Sequence, residues 1–122
     1  RSTMSAETEL YAVLSGSAGL AALVAARIYP DAIPEDIALP AVVYSRASTD
    51  PVLSVSGQKF AETARFQVTA WDKTRTGSAA VAAQIETALL NAWQPAINRT
   101  SAFDGEVGLF ATTLETDWFT TS

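Results

Sequence analysis

Between Glu62 and Trp93 the hydrophobic period of the chain changes once, and that change restricts what it can fold into more than any other feature. From Glu62 to Trp71, Ala64, Phe66, Val68 and Ala70 alternate with Thr63, Arg65, Gln67 and Thr69. A period of two predicts a β-strand with the first set turned to a core. From Thr74 to Trp93 the period is helical. Val81, Ile85, Leu89 and Trp93, with Ala82, Ala88 and Ala92 beside them, make one apolar face. Thr74, Thr76 or Ser78 can cap this helix, its alanines allow close approach to a sheet, and Pro95 ends it. A strand handing over to such a helix predicts a helix layered on a sheet.

The flanking segments extend this pattern. Ser5 to Glu9 reads as a helix start, with Ser5 or Thr8 as cap and Glu7 and Glu9 in the positive first turn. Leu10, Val13 and Leu14 continue at helical spacing. Gly16 is a plausible stop and Ser17 a second cap, followed by Leu20, Leu23 and Val24. This predicts two short helices or one helix kinked at Gly16. Pro30, Pro34 and Pro40 then bias the chain towards a stiff, extended path. Ala41 to Thr49 reads as a strand, Pro51 to Ser56 as a possible second, and Ser56-Gly57-Gln58 as a turn. Val107 to Phe119 reads as a long last strand after a turn at Gly105. Thr112 and Thr116, on its Phe110, Leu114 and Trp118 face, suggest a face only partly buried. The expected fold is α+β: a mainly antiparallel sheet of about four strands with helices packed on one face. The other face, with Thr, Gln, Arg and acids, is either solvated or an interface.

Composition narrows the function classes. The 122 residues suit one domain, and 48% apolar against 17% charged residues excludes disorder as the expectation. Arg1-Ser2-Thr3 ahead of Met4 reads as a cloning remnant, leaving 4–122 as a single domain. A net charge of −5 is a poor basis for clamping a phosphate backbone, which needs clustered Lys and Arg. It is compatible with letting DNA pass without adhering. The longest apolar run, Ala18 to Ala26, is less than half the roughly twenty residues of a spanning helix. No cysteine is present, so no disulfide framework or thiolate site is expected, which suits a reducing cytosol.

Catalytic patterns are missing. Without histidine there is no Ser-His or Cys-His nucleophile and no imidazole ligand. Gly16-Ser17-Ala18-Gly19 lacks the strand that precedes a phosphate loop. Glu35/Asp36, Asp104/Glu106 and Glu115/Asp117 are carboxylate pairs, but none has a second cluster to converge with in a cleft. Asn98-Arg99-Thr100 matches a glycosylation acceptor, a three-residue pattern common by chance. Tyr44, Trp71, Trp93, Phe110 and Trp118 invite comparison with base-stacking platforms, but only Arg46 and Lys73 lie close in sequence. Core packing or subunit contacts are the simpler reading. The expectation is no catalytic site, no metal and no cofactor.

Three pieces in order carry a resemblance. Leu20-Ala21-Ala22-Leu23-Val24 leads to Arg27-Ile28-Tyr29-Pro30. Leu39-Pro40-Ala41-Val42-Val43-Tyr44 follows. Arg65-Phe66-Gln67-Val68-Thr69-Ala70-Trp71 precedes a Thr/Ser-rich cap and an Ala-rich helix. Together they resemble the tail-completion, or tail-terminator, family of long-tailed bacteriophages and prophages. Ala41 stands where an aromatic residue is expected, and Pro95 to Phe103 fits weakly. The resemblance implies a non-catalytic protein of the neck end of the virion tail, assembled in the host cytoplasm. It implies a hexameric ring that caps the tail tube and joins it to the head-completion proteins. The implied partners are copies of itself, the tail-tube protein and the head-completion or stopper protein. DNA passes through without specific binding, and no membrane is involved.

Two sets of residues are candidates for this role. The segment Ser48 to Ala61 is a candidate arm, with Val52, Leu53, Val55, Gly57, Gln58 and Phe60 as subunit or tail interface; a hairpin lying over its own core is the alternative. Glu115 and Asp117, two apart on a strand, share one face and are candidate lumen acids; a solvated strand end is the alternative. Once the core is assigned, no long apolar surface stripe is expected, so the ring interface should be modest and polar. Another head-tail joining ring component, or a cytosolic α+β ligand-binding or regulatory dimer, are the competing functions.

Overall fold

The computed structural model describes residues 6–25, 27–31, 38–53, 59–106 and 108–121. Helices α1 (Ala6–Ser15) and α2 (Ala18–Val24) are followed by strands β1 (Ile28–Pro30), β2 (Ala41–Leu53) and β3 (Lys59–Asp72). Helix α3 (Arg75–Asn91) and strands β4 (Ala96–Asp104) and β5 (Leu109–Thr121) complete the chain. The expected α+β architecture is present, with a mixed five-stranded sheet in the order β1-β2-β3-β5-β4. Every pairing is antiparallel except β1 with β2.

The first two helices form around Gly16. Glu7 and Glu9 occupy the first turn of α1. The Gly16 N–H closes back on the Ala12 carbonyl, and the Ser17 hydroxyl accepts from Leu20 N–H to start α2. Arg27 then acts as a staple. Its Nε donates to the Pro40 carbonyl at 2.9 Å and its Nη2 to the Leu23 carbonyl at 3.4 Å. The Arg-Ile-Tyr-Pro and Leu-Pro-Ala-Val-Val-Tyr pieces are thereby tied together, with Ile28 beside Val42 and Tyr29 beside Val43. Leu39–Pro40 is a cis peptide bond. The short β1 was not foreseen: its three residues become a strand only because β2 lies alongside.

Phe66, Val68 and Ala70 of β3, Leu114 and Trp118 of β5, and Val81, Ile85 and Leu89 of α3 meet in the core with Leu10, Leu14, Leu20 and Val24. Burying each large aliphatic or Phe side chain contributes about 1.5–3 kcal/mol. Phe66 and Trp118 pack edge to face at 6.5 Å between centroids. Thr74 caps α3 by accepting from Gly77 N–H at 3.0 Å. A Cβ at Gly77 would meet the Asp72 carboxylate, which would have to swing away to admit it.

Thr112 and Thr116 correct the expectation of a partly buried face: their exposure is 2% and 0%. Both hydroxyls are satisfied. The Ala70 carbonyl can only accept, so Ser78 Oγ donates to it at 2.9 Å, and Thr112 must donate to Ser78 at 2.8 Å. Thr116 Oγ1 reaches the carbonyls of Gln94 and Pro95 at 2.9 and 3.1 Å. Threonine on a core face here ties α3 and the α3–β4 connection to the sheet instead of marking exposure.

Helix α3 also ends earlier than its hydrophobic stripe. Ala92 is the C-cap, Trp93 N–H bonds to the Leu90 carbonyl and Gln94 N–H to the Leu89 carbonyl. This is a Schellman stop, and the residue after the cap must be left-handed. Trp93 takes that place with φ 62°, where glycine is usual, and is 90% exposed. It is not part of the core face expected from its spacing.

Candidate assembly surfaces

The helices cover one face of the sheet. On the uncovered face the side chains are paired across strands. Thr69 and Thr113 share a hydrogen bond at 3.1 Å. Glu115 and Asp117 do lie together on this face of β5, in register with Gln67 and Arg65. Neither is a bare charge. Arg65 grips Asp117 through Nε and Nη2 at 2.9 and 3.2 Å, and Asn98 Nδ2 donates to Glu115 at 3.0 Å. The side chains of Arg65 and Asp117 are about 40% exposed, at 43% and 39%, so solvent screens the pair and it is worth about 0–1 kcal/mol.

The candidate arm is an extended hairpin. The expected break between Thr49 and Pro51 does not occur: β2 runs unbroken from Ala41 to Leu53 and pairs with β3 as far as Leu53 with Lys59. Val52 and Leu53 are its last two residues, and Phe60 is the extra residue of a bulge opposite them. Val55, Gly57 and Gln58 lie outside the described residues. Strand β5 follows β3 out to the Ala61–Thr121 pair, so most of the extension is three strands wide. Of the candidate arm, only the last rungs pass the end of β5.

The aromatics divide by environment. Trp118 is buried and its Nε1 donates to Glu9 at 3.1 Å. Arg46 lies 5.6 Å from the Phe66 ring centroid and pairs with Glu7 at 2.6 Å. Arg75 sits 5.6 Å from the Phe110 centroid. Arg46 and Arg75 are thus engaged within the fold. Burial, then the neighbouring Tyr11, Asp31 and Glu7, raise the Tyr44 hydroxyl above the ordinary tyrosine value, so it stays neutral. Among the described residues no group of three or more His, Cys, Asp or Glu is placed to hold a metal, and no helix is long and apolar enough to cross a membrane.

What sequence reasoning missed is the corner where α3 meets β4. Leu90, Trp93 and Ile97 are exposed by 62%, 90% and 52%, and Phe103 at the other end of β4 by 55%. These four are exposed apolar side chains that the hydrophobic pattern did not mark as exposed. Strand β4 itself is the sheet edge. Pro95 carried part of the signal: it biases Gln94 away from helical φ/ψ and so puts the helix end close to Trp93.

The helices lie on one face of the sheet, and among the described residues no strand lies outside β4. The chain belongs to the tail completion protein gp17 family, whose profile matches residues 8–121. It is a bacteriophage-type tail-completion protein, a structural component of the virion. Its fold is similar to that of a chain in the virion of a native gene transfer agent particle. The TM-score is 0.72 at 18% identity, over 93% of this chain and 92% of that one. Comparison with curated protein sequences finds no relative.

Proposed function

We propose that this protein is the tail terminator: a hexameric ring that closes the finished tail tube and presents a surface to the head-completion proteins. The observation that carries this reading is the family match across nearly the whole chain, from residue 8 to 121. The fold shared with a chain of a gene transfer agent virion supports it. So does the sheet, whose edge strand β4 has no strand outside it among the described residues. The activity is shape and edge complementarity, without catalysis. DNA passes through the ring without specific contact, and the uncovered face bearing Glu115 and Asp117 is the proposed lumen wall. Another ring of the neck would use the same surfaces, so attachment to the tail tube is the distinguishing property. Electron microscopy of purified tail tubes with added protein should show a six-fold cap at one end, and capped tubes should stop growing. A tight dimer by light scattering, with no ring in solution or on tubes, overturns the proposal.

A further inference from the structure

Among the described residues the sheet has two edges with no strand outside them, on opposite sides. One is β4, Ala96–Asp104. It has no strand outside it, no internal proline and one cation, Arg99, which is turned back to Glu86 at 3.3 Å. Natural edge strands are ordinarily blunted by charge, proline or a covering element. Beside β4, between it and the start of α3, lies an open groove of about 390 Å³ lined by Arg75, Ser101, Phe103 and Phe110. The other edge is the far half of β2, which carries Arg46, Asp50, Pro51 and a bulge at Ala47 and is the better guarded of the two. Strand β1 pairs only with Val42 to Tyr44, and among the described residues no strand lies outside Ser45 to Leu53.

We propose that β4 of one copy pairs with the far half of β2 of the next, with the Leu90–Trp93–Ile97 corner receiving the Val52–Leu53 end of that strand. This rests on the ring reading above and specifies its interface. A strand edge without an outer strand is a template for another strand, and this chain carries a second such edge itself. Direction agrees as well. Strands β2, β3, β5 and β4 alternate, so β4 runs antiparallel to β2 within one sheet. Neighbours related by ring rotation keep that relation, so the β4–β2 junction is antiparallel, the more stable ladder. In that direction Ser45 lies towards Asp104 and Leu53 towards Ala96. The apolar end of β2 therefore arrives at the apolar corner beside Ile97. Because β1 blocks the near half of β2, each copy is shifted along the strands by roughly half a strand, the kind of stagger that a sheet needs to close on itself.

The chain has no cysteine, which permits a direct test. Within one copy β4 and β2 are three strand spacings apart, about 14 Å. A disulfide needs Cα atoms within about 7 Å, so Thr100→Cys cannot join Thr49→Cys or Ala47→Cys in the same chain. The double variants are oxidised in the state in which the unsubstituted chain sediments as a particle larger than a dimer, in solution or on tail tubes. The expected result is a ladder of up to six linked chains that collapses on reduction, with single variants giving dimers at most. A dimer from Thr100→Cys alone, as efficient as the double variant, means that β4 pairs with β4 and overturns the proposal. An assembled particle without a ladder also overturns it while leaving the ring reading intact. If no particle larger than a dimer forms at all, the ring reading fails and this inference with it.

Discussion

At the residue scale, Trp93 is the most unusual side chain among the described residues. It occupies the left-handed position of a helix stop, where a side chain costs about 1 kcal/mol relative to glycine, and it gains little burial in return. A bulky outlier of this kind points to function in the contact it presents. Trp93→Gly is therefore expected to raise Tm by about 2–6 °C while weakening assembly. Thermal unfolding and sedimentation on one preparation check both halves; a loss of stability would mean that Trp93 supports the fold. Thr116 is the opposite case, silent at the surface and important inside. Its hydroxyl holds the Gln94 and Pro95 carbonyls against β5. Thr116→Val keeps the shape and removes the donor, with an expected cost of about 1–3 kcal/mol. Denaturant unfolding with an unchanged m-value is the measurement.

At the element scale, the β2–β3 hairpin separates into a part that belongs to the sheet and a part that reaches beyond it. Rungs from Ala61 to Asp72 are also held by β5. Replacing residues 53–59 with a two-residue turn leaves all of those rungs in place. Tm is expected to stay within a few degrees, and tail completion to stop. If the shortened protein unfolds, the hairpin end belongs to folding instead. The two outer strands differ in how they arise. Strand β1 is created by its partner and by the Arg27 staple. Strand β4 is created by β5, since its own residues are mostly exposed and its sequence has no alternation deep enough to signal a strand.

At the scale of the whole molecule, charge is distributed less simply than the acid count suggests. Glu115 and Asp117 share the uncovered sheet face, but Arg65 answers Asp117. A ring lined by this face would carry a weaker acidic band than bare carboxylates give, still opposed to a phosphate backbone. Replacing both acids with Lys converts the group of Glu115, Asp117 and Arg65 in each copy from a net charge of −1 to +3. Stability should fall by no more than about 1 kcal/mol, since the ion pair is screened. Rings should form and retain DNA at low salt, with retention lost as salt rises. Intact rings with no DNA retention would assign the two acids to the outside of the particle.

The period change between Glu62 and Trp93, the caps at Ser17 and Thr74, and the apolar faces of α3 and β3 were legible in the sequence because each is a local pattern. So was the family, because its pieces occur in order along the chain. Local pattern could not tell which of two apolar residues one helical turn apart would be core. Leu89 is buried and Trp93 is exposed because a backbone stop four residues on overrides the stripe. It could not give a depth to Thr112 and Thr116, since a hydroxyl is buried only when partners distant in sequence are brought to it. Nor could it show that Arg65, 52 residues away, would meet Asp117, or that β4 would be an edge. Those are properties of register and strand order, set by packing between distant segments, and the surfaces by which this protein assembles depend on them.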